Sequence, residues 1–214
     1  LSRAAITRRV AQGRWIPVHR GVYVIGAAPE TYRQQLLARL LSFGSDAVAS
    51  HRAAAYLHGI PGYHATVEWS RPRGRSQRRP YGVGHGSMWL PASHVTVRDG
   101  IPVTTVPRTL FDLAGVDHPG RVEWALDNAE ERKLCTLAEV HLVFDDLARR
   151  GRRGTTAMRK LLADRGPGYV PPNSRLEALG RRVLRDAGID DFAVEVDLGG
   201  EHEWIGRVDL LFAE

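Results

Sequence analysis

The sequence predicts an α+β protein built from more than one domain, and three observations carry that expectation. Runs with helical spacing alternate with short strand-like runs along the 214 residues. The charge changes sign from front to back. The stretch Gly166-Pro167-Gly168-Tyr169-Val170-Pro171-Pro172 forms a proline-stiffened linker. These features divide the chain into a helix plus two-stranded wing (1–28), a mixed α/β middle domain (29–165), a linker (166–173) and an α/β tail (174–214).

A hydrophobic fraction of 43% is enough for a packed core. No apolar run is long enough to span a bilayer, and the N-terminus has no signal-peptide pattern. One cysteine, Cys135, excludes a disulfide framework and a finger-type zinc site, and fits a reducing cytoplasm. The chain opens on Leu1 rather than Met and stops within a strand pattern, so a longer protein is expected at both ends.

The net charge of +6 hides a gradient. Residues 1–100 hold 14 arginines against 4 acids, a net of +10. Residues 101–170 are near balance, and residues 171–214 hold 5 arginines against 10 acids, a net of −5. The front half is therefore expected to meet a polyanion. Lysine is nearly absent, so part of the arginine content reflects composition at large, but that bias would not produce a gradient.

Ser2 to Gln12 reads as a short helix ended by Gly13, with Ile6 and Val10 on one face. Two short strands follow, Arg14–Val18 and Val22–Ile25, around His19-Arg20-Gly21. A helix running into a basic wing is the back end of a winged helix-turn-helix: the helix suits a major groove, and wing arginines suit phosphate or a minor groove. Arg3, Arg8, Arg9, Arg14 and Arg20 meet no acid before Glu30 and are the candidate DNA contacts. The alternative is a helix-hairpin with solvated arginines. The run Gly13-Arg14-Trp15 with His19-Arg20-Gly21-Val22-Tyr23 resembles the winged-helix end of AbiEi-type antitoxins. That resemblance implies duplex DNA as a partner, and a nucleotidyltransferase-like toxin as a second.

In the middle domain a helix is expected from Pro29 to Phe43, with Leu36, Leu37, Leu40 and Leu41 buried. After the brief strand Ala47–Ala49, Ser50 is placed to cap a helix carrying Ala53, Ala54 and Leu57. His51 and His58 flank that helix and are given no chemistry, because a lone histidine at a helix end is usually a cap or surface group. His64 to Trp69 alternates as a strand and leads into Arg71-Pro72-Arg73-Gly74-Arg75-Ser76-Gln77-Arg78-Arg79. Arg71, Arg73, Arg75, Arg78 and Arg79 make this either a phosphate-contacting loop or a solvated hairpin tip. Gly82-Val83-Gly84-His85-Gly86 lacks the helix and lysine of a phosphate loop and reads as strand.

Asp99-Gly100 predicts a tight hairpin turn, and Thr105 with Pro107 a helix start. Arg108 and Asp112, four apart on that helix, are expected to form a structural brace. The run from Gly100 to Ala114 is similar to a segment that joins AbiEi-like fronts to nuclease-like tails in actinobacterial proteins. Three helices are expected next: Pro119–Lys133, Leu137–Arg150 behind a Thr136/Glu139 capping box, and Thr155–Ala163. Arg149, Arg150, Arg152 and Arg153 form a second basic cluster. There is no G-x-S-x-G, no histidine near Cys135, and no H-x-x-x-H pair, so hydrolase and helical zinc motifs are absent.

The tail opens with Ser174 and Glu177 as a capping pair, a helix carrying Leu176, Leu179, Val183 and Leu184, and Gly188 as its stop. Two strands follow, Phe192–Leu198 and Trp204–Phe212, the second carrying Asp209 among apolar neighbours. This order resembles the first half of a restriction-endonuclease-like PD-(D/E)XK fold of the Vsr (very-short-patch-repair-like) type. The resemblance implies Asp209, with Glu177 as accessory, as catalytic and metal-holding residues, and Mg²⁺ as the cofactor of a longer chain. Glu177 as a plain capping residue remains the equal alternative. Glu214 is not equated with the next carboxylate of that motif, so the 214-residue chain alone is expected not to cleave.

Three functions are compatible with this pattern: a DNA-binding regulator of the antitoxin type, a metal-dependent endonuclease delivered by its winged helix, and a non-enzymatic partner-binding antitoxin.

Overall fold

A computed structural model describes residues 1–73, 82–166, 169, 172, 175–200 and 203–212. Arg75, Arg78, Arg79, Ser174 and Glu214 lie outside the described residues.

The fold is α+β, with a five-stranded mixed sheet at its centre. At the front, α1 (Arg3–Ala11) is capped by the Ser2 hydroxyl, which accepts from the Ala5 N–H. Strands β1 (Trp15–His19) and β2 (Val22–Ile25) form an antiparallel hairpin whose Trp15 and Tyr23 rings lie 5.7 Å apart. No residue of α1 is buried, so the helix gains little from a core of its own.

Helix α2 (Tyr32–Phe43) starts at Thr31, whose hydroxyl takes the Gln34 N–H. Its buried side is Leu36, Ala38, Arg39 and Leu40, whereas Leu41 is exposed. The expected leucine stripe is thus rotated, because the helix rests on the sheet through the 36–40 edge. The sheet order is β5-β4-β3-β7-β6, from β3 (Val48–Ala49), β4 (Glu68–Pro72), β5 (Val83–Ser87), β6 (Val95–Arg98) and β7 (Ile101–Thr104). The Asp99-Gly100 turn joins β6 to β7 as expected. Helix α3 (His51–Leu57) crosses from β3.

Trp69, fully buried on β4, stacks on Phe43 at 4.7 Å between centroids. Its ring also explains the glycine-rich β5. A Cβ on Gly84 would stand 2.8 Å from the indole, closer than side-chain carbons approach one another.

A second apolar cluster joins α4 (Val106–Leu113), α5 (Pro119–Glu131), α6 (Leu137–Leu147) and α7 (Thr155–Ala163) around Leu110, Val122, Leu126, Leu147 and Met158. The Thr136/Glu139 capping box is formed. Helix α6 ends at Leu147, short of Arg150, because Ala148 turns to extended backbone. Tyr169 donates to Asp127 on α5 at 3.0 Å, and Arg165 pairs with the same carboxylate, so the linker is anchored there.

Helix α8 (Arg175–Asp186) docks on α5 by a polar face: Glu123 accepts from Arg182 at 2.7 Å and Arg185 at 3.0 Å. Its apolar residues Leu176, Leu179 and Val183 point away and are exposed, a consequence of docking through arginines on the opposite side. Strands β8 (Phe192–Gly200) and β9 (Glu203–Phe212) form a separate antiparallel hairpin.

Candidate functional site

The front unit holds its arginines outward. Arg3, Arg8, Arg14 and Arg20 are exposed, and none takes an acid among the described residues, while Arg9 lies over the Trp15 ring at 4.7 Å. Arg71 differs. It is buried, faces Asp46 at 3.6 Å and lies over Phe43, because β4 is an interior strand covered on both faces from Glu68 to Arg71. Its expected role as a phosphate contact is replaced by that of a core brace. Arg73, two residues on, is exposed at the mouth of a cleft.

The two tail carboxylates are held apart from any metal-ligating group of three among the described residues. Glu177 pairs with Arg181 one turn along α8, and Asp209 sits on the exposed side of β9.

The structure instead gathers chemistry where the sequence offered none. His51, Glu68 and His85 converge from α3, β4 and β5, with ligand atoms within 4.8 Å of one another. His51 opens α3 in the left-handed region, at φ 51°, a conformation that costs about 1–3 kcal/mol for a residue with a side chain. Ser50 caps the helix by position only: its hydroxyl contacts His51 Nδ1 at 2.9 Å and accepts from Ser70 at 2.8 Å. Glu68 performs the capping instead. Its Oε2 accepts the Arg52 N–H at 3.0 Å, at the positive end of the helix, and its Oε1 accepts from His85 Nε2 at 2.8 Å.

Burial alone would raise the Glu68 pKa, but the bonds from His85 and the Arg52 N–H outweigh it and hold the carboxyl below its usual range. Burial and the neighbouring His85 lower His51 to about 3, so its imidazole is neutral at physiological pH. The His51 and His85 rings stack with centroids 3.6 Å apart and planes 16° from parallel. Nitrogen lone pairs lie in the ring planes, so nearly parallel rings do not aim at one point. The trio could hold one metal ion only after one ring turned, at metal–nitrogen distances of about 2.0–2.1 Å. As arranged it is a hydrogen-bonded relay with an oriented imidazole.

His51 and His85 form the floor of a cleft of about 570 Å³. One side is α4, where Arg108 is fully buried. Its Nε donates to Asp112 at 2.9 Å, and its Nη atoms to the Trp89 carbonyl at 2.9 Å and Ser87 Oγ at 3.0 Å. The expected brace is present and larger than its i,i+4 pair. The other side is the α6–α7 loop with Arg149, Arg150, Arg152 and Arg153.

Nothing in the sequence pattern marks His51, Glu68 and His85 as a group. A positive φ at a helix start leaves no mark on spacing, and Glu68 and His85 lie 17 residues apart on parallel neighbouring strands. Neither the protein-family models nor the curated proteins compared with the chain gave a match.

Proposed function

We propose that the protein is a duplex-DNA-binding regulator of the antitoxin type, which grips DNA with α1 and the β1–β2 wing. The observation that supports this most is the front unit itself: a capped helix with no buried residue, followed by a hairpin, with exposed arginines that take no acid among the described residues. A helix kept at the surface with its cations unpaired is suited to phosphates and a groove. A nucleotidyltransferase-like toxin is the protein partner implied by the antitoxin reading, and rescue of growth on co-expression with such a toxin tests it.

DNA binding is tested by anisotropy of a labelled duplex across a salt series. Changing Arg8, Arg9 and Arg20 together to Ala removes up to three phosphate contacts. The slope of log K against log salt should flatten by about 2.7. An unchanged slope would overturn the reading.

A second reading, metal-dependent DNA cleavage, has one structural observation in its favour: the His51–Glu68–His85 trio lies on the floor of an arginine-walled cleft. In that reading a divalent ion that accepts imidazole would act at the trio once one ring had turned, or Mg²⁺ would act at Asp209 and Glu177. Plasmid nicking that is abolished by His85→Ala but survives Asp209→Ala would assign it to the middle domain, and the reverse pattern to the tail.

A further inference from the structure

We propose that the cleft above His51 and His85 is a binding site for a phosphate-bearing ligand, separate from the DNA-gripping surface of α1 and the wing. Besides the buried Arg108, five arginines line it: Arg73 from the end of β4, and Arg149, Arg150, Arg152 and Arg153 from the α6–α7 loop. None of the five is within ion-pair distance of an acid among the described residues. Arg52, Arg108, Arg165, Arg182 and Arg185, by contrast, all take carboxylates. The acids nearest the cleft are already engaged. Asp112 receives Arg108, and Asp146 receives Trp89 Nε1 at 2.8 Å and His94 Nε2 at 3.2 Å. A concentration of like charge left without counter-ions in a concave surface is a site for an anion.

The loop is also fixed in place, which distinguishes it from a solvated arginine run. Gly154, at φ +86°, packs so closely on α4 that a Cβ there would stand 2.7 Å from the Phe111 carbonyl oxygen. The Thr155 N–H donates to the Arg152 carbonyl at 3.3 Å, and the Arg152 N–H to the Arg149 carbonyl at 3.1 Å. The Arg152 guanidinium lies over the Phe111 ring at 5.4 Å. Held this way, the loop backbone and the Arg152 side chain have less freedom to lose when a ligand arrives. Burial, and after it the charge of Arg108, lower the Arg152 pKa.

The cleft adds groups of a different kind: His85 is oriented by Glu68, and Asp112 Oδ2, an acceptor, is buried in the cleft wall without a hydrogen-bond partner among the described residues. A ligand that carries both phosphate and N–H or O–H groups would use all three sets, as nucleotides and nucleic-acid strands do. The cleft volume falls in the range of small-molecule sites, about 300–1,000 Å³. It admits a nucleotide or a strand end rather than the body of a duplex.

The test uses the full chain and three probes at constant ionic strength: pyrophosphate by calorimetry, and a labelled single strand and a labelled duplex by anisotropy. The cleft variant is Arg149→Ser/Arg150→Ser/Arg153→Ser, and the control of equal charge loss is Arg3→Ser/Arg8→Ser/Arg20→Ser. Should the first variant melt lower than the wild type, Arg73→Ser/Arg150→Ser replaces it, since neither of those side chains has a partner among the described residues.

The expected result is saturable binding of pyrophosphate that the cleft variant weakens roughly tenfold or more and the control leaves alone, as lost charge-assisted bonds require. Pyrophosphate binding identifies a free nucleotide as the source of phosphate. A cleft-specific loss confined to the single strand identifies the nucleic-acid backbone, and one confined to the duplex overturns the proposal. If the cleft variant weakens no probe more than the control does, the proposal is overturned. Failure of the DNA-binding reading shows elsewhere, as an unchanged salt slope in the wing variant.

Discussion

Replacing Arg108 by Met should unfold the centre of this protein more readily than any surface change. Arg108 is fully buried, and its guanidinium serves Asp112, Ser87 and the Trp89 carbonyl, with His94 Nδ1 at 3.2 Å. Its removal leaves the Asp112 carboxylate without its cation at a site where Oδ2 already has no hydrogen-bond partner among the described residues. Breaking one side of a buried ion pair costs about 3–5 kcal/mol, mostly the penalty of the charge left behind. For a chain of this length each kcal/mol lowers Tm by about 2–4 °C, so the variant should melt roughly 6–20 °C below the wild type. Urea unfolding followed by circular dichroism measures the same loss at fixed temperature. The double change Arg108→Met/Asp112→Leu should recover a large part of it, because no charge is then stranded. A single variant within about 1 kcal/mol of wild type would refute the brace, since even a lone neutral hydrogen bond contributes that much. A double variant no more stable than the single one would show that the Ser87 and Trp89 contacts, not the charge pair, carry the energy.

Two further outcomes follow from the packing. Gly84→Ala places a methyl against the Trp69 ring and should destabilise by about 1–3 kcal/mol, with a change in near-ultraviolet tryptophan dichroism; an unperturbed Trp69 signal would show that β5 is not held against it. Glu123→Gln weakens the contact that holds α8 to α5 and should speed proteolysis between Arg165 and Arg182. Burial opposes the Glu123 charge, but Arg182 and Arg185 outweigh it and depress its folded pKa. Its stabilising effect is therefore complete above the unfolded value of about 4.3 and is lost as pH falls through the lower folded value. Acid should release α8 in the wild type, while the Gln variant should show no such step.

The sequence by itself determined most of the elements, because their causes are local. The Asp99-Gly100 turn, the Thr136/Glu139 capping box and α7 from Thr155 to Ala163 all fall where turn chemistry, caps and spacing put them. The Arg108–Asp112 pair was legible for the same reason, since a four-residue separation on a helix fixes both side chains on one face. Burial was legible only in part. Leu41 and the apolar stripe of α8 are exposed and Arg71 is interior, because which face of a helix or strand is covered depends on what packs against it. The candidate site was almost wholly a tertiary decision. His51, Glu68 and His85 come from three elements, and the arginines around them from two loops far apart in the chain. No spacing rule joins them, because the sheet order β5-β4-β3 and the seating of the Gly154 loop on α4 create their neighbourhood.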